Sequence, residues 1–241
     1  MTPTAQLIHG DCLDVLPTLT SGTIDMAFCD LPYGVTVAAW DVLLNNNLLW
    51  NALRFAAKQD ASYLFTATQP FASHIVLSNV KQFRYDIIWN KIALTGHLSA
   101  NRQPLRQHEH ILVFGQGAYN PQKSPGKPYK MTSWGVNKNY SGHKMWTTDN
   151  ASGDRHPKSI YSLPTDKGLH PTQKPVPLLR YLIRTYSNPG DTILDPTCGS
   201  ATTIVAALLE GRHSIGIEKD ATIFANAQER VMAVQRSLRR K

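Results

Sequence analysis

Short apolar runs alternate with amphipathic helical patterns along most of this 241-residue chain. That alternation leaves few folds open. Parallel strands need a crossover between them, and a helix is the usual crossover. Residues 6–9, 24–29, 61–66, 85–89, 192–194 and 214–218 read as strands. Residues 48–58, 70–80, 176–186, 202–209 and 221–238 read as helices. Pro175 and Pro177 open the third of these helices, and Asn188-Pro189-Gly190 closes it. The expectation is an α/β fold with a parallel-rich sheet covered by helices.

The pattern breaks near Gly96 and resumes near Leu169. Between them only residues 110–114 read as a strand. The rest is rich in Pro, Gly, Lys and Asn, and Trp134, Tyr140, Trp146 and Tyr161 are interleaved with basic residues. Aromatics among lysines suit base stacking with phosphate contact. A surface excursion packed by its own aromatics is the alternative, but a structureless loop of this length is uncommon in a compact domain. The formal net charge of +8 adds weight to a polyanionic partner. The three cysteines, Cys12, Cys29 and Cys198, form no C-x-x-C pair, so neither a disulfide framework nor a cysteine-rich metal site is expected. No apolar run is long enough to span a membrane, and the first residues lack a signal-peptide layout. A cytoplasmic protein is expected.

Two stretches carry candidate chemistry. Asp30-Leu31-Pro32-Tyr33-Gly34 follows the strand at 24–29, so an acid, a proline and an aromatic ring sit where a sheet strand ends. The carboxylate can accept from an amine, and the ring can stack on a flat base. Residues 192–209 read as strand, Gly-containing turn and helix, which brings backbone close to a ligand at a helix N-terminus. The turn spells neither G-x-G-x-x-G nor a P-loop. Glu218 ends the next strand about twenty residues on, where an acid can bind ribose hydroxyls. Together they suggest a nucleoside-bearing cofactor without a pyrophosphate. Asp11, at an earlier strand-to-helix junction, reads either as a helix cap or as a contact to a ligand's polar edge. His108 and His110 share a strand face beside Glu109, but no third ligand is near in sequence. A structural or DNA-facing role is expected there and no metal.

Asp195-Pro196-Thr197-Cys198-Gly199-Ser200-Ala201-Thr202-Thr203 resembles the cofactor signature D-P-F-x-G-S-G-T-T of S-adenosylmethionine-dependent DNA amino-methyltransferases. Asp30-Leu31-Pro32-Tyr33 resembles their catalytic D-P-P-Y, and His170-Pro171-Thr172-Gln173-Lys174-Pro175 matches H-P-T-x-K-P of the β-class. Gly10-Asp11-Cys12-Leu13-Asp14-Val15-Leu16 resembles the N-terminal G-D-C-x-x-x-L element, and the motif order is that of the β-class. Leu31, Thr197 and Ala201 depart from the family pattern.

The resemblance implies a Rossmann-like methyltransferase fold: a mostly parallel seven-stranded sheet, helices on both faces and an irregular target-recognition insertion. It implies a catalytic part at 1–95, the insertion at 96–169 with a core strand near 110–114, and a cofactor-binding part at 170–241. It implies S-adenosyl-L-methionine as cofactor, double-stranded DNA as partner and a possible homodimer. Direct transfer to a flipped-out base is expected. Asp30, Leu31, Pro32 and Tyr33 would be catalytic, with Asp30 also near the cofactor. By the same resemblance Asp11 would meet the cofactor adenine and Glu218 its ribose. Asp195, Gly199 and Ser200 would line the methionine side, Pro196 and Thr197 would also belong to the cofactor site, and Thr172 and Lys174 would hold the methionine carboxylate. Lys123, Lys127, Lys130 and Lys138 are candidates for DNA contact, as are Lys144, Arg155 and Lys158. Asp at the head of the catalytic motif favours N6 of adenine over N4 of cytosine. The alternatives are an N4-cytosine enzyme and an inactive nucleic-acid-binding relative. Methylation at cytosine carbon-5 needs a nucleophilic cysteine, which the three cysteine contexts do not support.

Overall fold

A computed structural model describes residues 2–34, 42–135, 144–165 and 173–240, without the side chains of 133–135 and 144–146. The chain divides into two compact units, Met1–Asn120 with Ser159–Lys241, and Pro121–Lys158.

The larger unit begins with β1 (Ala5–His9), the short α1 (Cys12–Val15) and β2 (Ile24–Cys29). It continues with α2 (Asn46–Ala56), β3 (Ala57–Ala67), α3 (Phe71–Ser78), β4 (Phe83–Thr95) and β5 (Arg106–Gly115). The smaller unit holds β6 (Tyr129–Gly135) and β7 (Lys144–Asn150). The chain returns to the larger unit with β8 (Ile160–Ser162), α4 (Val176–Tyr186), β9 (Thr192–Asp195), α5 (Thr202–Leu209), β10 (His213–Glu218) and α6 (Ala221–Arg239).

One sheet runs through the larger unit in the order β1-β10-β9-β2-β3-β5-β4-β8. The pairs from β1 to β3 are parallel, β5 is antiparallel to β3 and β4, and β8 is parallel to β4. The sheet therefore has eight strands among the described residues, not the seven expected. The addition is β8, three residues that pair with Ile88, Trp89 and Asn90. So short and largely exposed a strand leaves no periodic trace in the sequence. β5 and β8 also belong to the larger unit, so the smaller one is narrower than the 96–169 span read from texture.

Both faces of the sheet are covered, as mostly parallel sheets require. Alternate β2 residues point to opposite faces. Ala27 and Cys29 join a core with Leu49, Leu53 and Ile75 of α2 and α3. Met26 and Phe28 join another with Leu179, Leu182 and Ile183 of α4. The Asn45 side chain caps α2 by accepting from the N–H groups of Asn47 and Leu48. The helix stops at Ala56, two residues before the sequence reading, because Ala57 is extended and starts β3. Neighbouring β2 and β9 lead away in opposite directions, one to β3 and the other to β10 and β1. This is the strand-order reversal at whose carboxyl ends open α/β sheets bind ligands.

In the smaller unit β6 and β7 form an antiparallel hairpin, with Tyr129 opposite Asn150 and Gly135 opposite Lys144. Arg155 clamps its base. The guanidinium donates to the carbonyls of Gly153 (2.5 Å), Asp154 (3.2 Å) and Lys127 (2.6 Å) and lies over the Tyr129 ring.

Candidate active site

Asp30 lies one residue past the end of β2, and its carboxylate is held on several sides. Lys174 Nζ donates to both oxygens at 2.8 Å. The Tyr33 hydroxyl donates to Oδ1 at 3.3 Å, and the Thr66 hydroxyl of β3 donates to the same oxygen. Thr66 reaches it because β3 pairs with β2, with Phe28 beside Leu64 and Cys29 beside Phe65. The Lys174 side chain is only 11% exposed, and Glu109 Oε2 lies 3.5 Å from its ammonium. Glu109 Oε1 in turn meets Lys91 at 3.1 Å. Lys91, Glu109, Lys174 and Asp30 thus form a row of alternating charge. Burial works against the Lys174 charge, but the Asp30 and Glu109 carboxylates outweigh it and raise its pKa. Burial pushes the Tyr33 phenol well up, so it stays a hydrogen-bond donor. One face of the Tyr33 ring stacks on Phe71 at 5.1 Å. Leu31 is 4% exposed and packs into the core beneath the turn.

The second turn follows β9. Buried Asp195 accepts from the Thr197 N–H at 3.1 Å, and burial lifts its carboxyl to about 7 against the bonds from Thr203 and Thr197. Gly199 takes a left-handed backbone, and its missing side chain would have met nothing, so the turn borders open space. Glu218 Oε2 accepts from the Gly199 N–H at 2.9 Å and Oε1 from the Asp220 N–H at 2.8 Å. Each of these oxygens keeps a lone pair for a hydroxyl. Ala201 has φ 60 and caps α5. A left-handed residue with a Cβ costs roughly 1–2 kcal/mol, which explains why glycine suits this position. Ser200 is held from two sides. Its hydroxyl meets Gln173 Oε1 at 3.1 Å, and Arg230 Nη1 donates to its carbonyl at 2.7 Å. Asp11 caps α1 through the Leu13 N–H and pairs with Lys219 at 2.9 Å, and both contacts hold its pKa down. An open Gly turn flanked by acids with spare acceptors fits a ligand rich in hydroxyls and amines.

The profile of the N6/N4 DNA methylase family matches residues 24–229, a span that includes both turns. The chain belongs to that DNA methylase family. A DNA adenine methyltransferase of Escherichia coli K12, YhdJ, is 27% identical over 230 residues, covering 88% of this chain and 77% of YhdJ. The crystal structure of an M1.HpyAVI–SAM complex has the same fold at TM-score 0.64 and 22% identity, covering 94% of this methylase and all of that chain. The cytosine-N4-specific PvuII DNA methyltransferase matches at TM-score 0.66 and 13% identity, covering 98% of this chain and 93% of that one.

Within the methylase, strand order brings together residues far apart in sequence. Asp30, Tyr33 and Lys174 meet, and the Thr197 hydroxyl donates to the Asp30 carbonyl at 3.1 Å. Pro196 is buried in the second turn, and Pro32 is half-buried in the first. Asp11 and Glu218 sit at the ends of the paired strands β1 and β10. Thr172 and Lys138 lie outside the described residues, as does the Lys144 side chain. In the smaller unit Lys123 is 3.6 Å from Asp154 and Lys130 is 3.8 Å from Asp149, while Lys127 and Lys158 are exposed. Arg155 is spent on three carbonyls.

Thr66 and Lys91 escaped the sequence reading and Glu109 entered it only beside two histidines, because Thr66 sits in an ordinary strand while Lys91 and Glu109 lie just outside the runs read as strands at 85–89 and 110–114. Glu109 carried one signal, an acid between two histidines just ahead of the apolar end of β5. His110 Nδ1 meets Asp86 at 2.9 Å. Both line a groove of about 380 Å³ that contains none of the Asp30 partners. All three cysteines are buried, and burial raises every thiol, that of Cys12 to about 11. Such thiols are poor nucleophiles. Among the described residues no helix is long and apolar enough to cross a membrane.

Proposed function

We propose that this chain transfers a methyl group from S-adenosyl-L-methionine to the N6 amine of adenine in double-stranded DNA. The observation that carries the reading is Asp30, an acid fixed at the end of β2 by Lys174, Tyr33 and Thr66, beside the turn that Glu218 closes. Adenine is favoured by that acid and by the name of the relative YhdJ.

When bound, the cofactor supplies an electrophilic methyl on a sulfonium sulfur. An exocyclic amine is a weak nucleophile because its lone pair is delocalised into the ring. Asp30 accepts one amine hydrogen and the Leu31 carbonyl accepts the other. This draws the nitrogen toward tetrahedral geometry and frees the lone pair for in-line attack, in which the N–C bond would form as the C–S bond breaks, S-adenosyl-L-homocysteine would leave and the surplus amine proton would pass to solvent. Asp30 Oδ1 already takes three donors whereas Oδ2 takes one, so Oδ2 is the oxygen that meets the amine. Tyr33 stacks the base on the ring face that Phe71 does not cover, and Pro32 holds the angle between them. The base must leave the duplex to reach this site. Positioning and electrostatics carry the rate, with no covalent enzyme intermediate.

Glu218 takes the ribose hydroxyls and Asp11 the adenine amine of the cofactor. Asp195, Gly199 and Ser200 line the methionine side. Lys174, whose ammonium serves both Asp30 oxygens and has Glu109 Oε2 at 3.5 Å, would have to turn from one of these acids to hold the methionine carboxylate. The lysines of the smaller unit contact DNA phosphates as the target-recognition insertion. The test is transfer of labelled methyl to duplex DNA, followed by digestion to nucleosides. N6-methyladenine is expected. N4-methylcytosine would overturn the adenine assignment, and DNA binding with no cofactor binding and no transfer would overturn the enzyme.

A further inference from the structure

We propose that Thr197 is a positioning residue that fixes the Asp30–Leu31 peptide for methyl transfer. The proposal rests on the function proposed above and assigns to the second turn a task in the first.

The geometry begins with the β2–β9 ladder. Its last parallel pair is Ala27 with Leu194. Asp30 and Thr197 each lie three residues further on, so they face one another where regular pairing has ended. At that level the Thr197 N–H cannot serve β2, because it donates to Asp195 Oδ1 at 3.1 Å. The Thr197 hydroxyl supplies the donor instead and reaches the Asp30 carbonyl at 3.1 Å. A side chain thus continues the ladder by one rung, across the point where strand order reverses and the two turns meet.

That rung matters because of what stands at position 31. The direction of the Leu31 carbonyl depends on the Asp30–Leu31 peptide plane and on the two Leu31 dihedrals. Pro32 holds Leu31 in an extended conformation. Leu31 has no ring to lock its φ, as a proline there would. Its side chain is anchored in the core, at 4% exposed. The remaining freedom is rotation of the peptide plane before it, and the Thr197 hydroxyl holds the oxygen of that plane. Asp30 is therefore held through its carboxylate by Lys174 and through its carbonyl by Thr197. Asp195, itself buried, holds Thr197 in place.

The experiment compares Thr197→Val, which keeps the shape and deletes the hydroxyl, with Thr197→Ser, which keeps the hydroxyl. One net hydrogen bond governs the turn, so kcat should fall about tenfold in Thr197→Val, and Thr197→Ser should recover most of it. The dissociation constant for S-adenosylhomocysteine should stay within about twofold in both. Deuterium uptake by a peptide spanning residues 29–34 should rise several-fold in Thr197→Val and return toward wild type in Thr197→Ser. An unchanged kcat with unchanged exchange would overturn the proposal. So would weaker cofactor binding with unchanged kcat, which would make Thr197 a cofactor contact only. Absence of any transfer by the wild-type chain would overturn the proposed function instead, and exchange would still decide whether Thr197 holds the turn.

Discussion

Asp30→Ala removes the acceptor shared by Lys174, Tyr33 and Thr66, and its cost divides into two measurable parts. The first is stability. Lys174 is 11% exposed and loses both of its 2.8 Å contacts. Deleting one partner of a buried ion pair costs about 3–5 kcal/mol, because a charge is left without compensation. Here the charge keeps Glu109 at 3.5 Å, which is itself only 13% exposed. The cost should therefore fall at the low end, about 3 kcal/mol. For a chain of this length that lowers Tm by about 6–12 °C. The second part is rate. Removing one preorganised group that acts on the reacting centre costs about 10²–10³ in kcat. Labelled-methyl transfer, run well below both melting temperatures, should show that loss with the cofactor dissociation constant nearly unchanged. Thermal melts of the same samples give the stability part. Activity within a few-fold of wild type would refute the role of Asp30, even if the Tm fell as expected.

Glu218→Ala should act on binding, since Glu218 holds the Gly199 and Asp220 N–H groups at 2.9 and 2.8 Å. The cofactor dissociation constant, read by calorimetry, should rise at least about tenfold, and an unchanged value would show that the ribose site lies elsewhere. Asp195 gives a pH signature. Its folded pKa is raised to about 7 by burial, so its contribution to stability is fully present below about pH 4 and is lost as pH rises to about 7. Asp195→Asn should then look less destabilising at pH 8 than at pH 5 in urea melts, and equal costs at both would show that Asp195 is not perturbed. In the smaller unit Lys127→Ala should weaken DNA binding evenly across sequences and lower the salt slope by about 1. Arg155→Ala should instead speed proteolysis of residues 121–158, because its guanidinium ties three carbonyls together. A change in salt slope with unchanged proteolysis would make Arg155 a phosphate contact after all.

How well each feature showed in the sequence follows from how local its cause is. The Asp30 turn and the Glu218 acid each end an apolar run, so strand pattern and chemistry could be read together. Thr66, Glu109 and Lys91 reach the site only through the order β2-β3-β5-β4, which chain order does not supply. A threonine inside a strand gives no hint that its hydroxyl faces a carboxylate on the next one. Lys219 and Asp11 pair across 208 residues because β1 and β10 are neighbours, another product of strand order. The α2–β3 boundary slipped because Ala56 and Ala57 favour helix by propensity, and it is pairing of Ala57 with Ile24 of β2 that makes it a strand residue. Lys174 was tied by motif to the cofactor carboxylate, and its contact with Asp30 needed three dimensions.

Leu31, Thr197 and Ala201 are the positions that first argued for a silent methyltransferase fold, and the geometry at each bears on that alternative. A silent chain needs a turn that has lost its shape or its contacts. Ala201 still adopts the left-handed backbone of the second turn, at φ 60, and is fully buried there, so the fold sustains that strain. Thr197 brings an oxygen that an aromatic residue would lack, and that oxygen bonds the first turn. Leu31 gives up the ring constraint of proline but gains burial in the core. The substitutions at 31 and 197 also meet at one peptide, Leu31 leaving it freer and Thr197 holding it. Two departures that offset one another at a single peptide plane favour a working turn built differently over a turn that has decayed. If this is so, the costs of Thr197→Val and Asp30→Ala on kcat should not add. Residues acting on one geometry behave as a unit, and once Asp30 is gone the hydroxyl has little left to orient. The double variant should be no slower than Asp30→Ala alone, and a further tenfold loss would separate Thr197 from the catalytic turn.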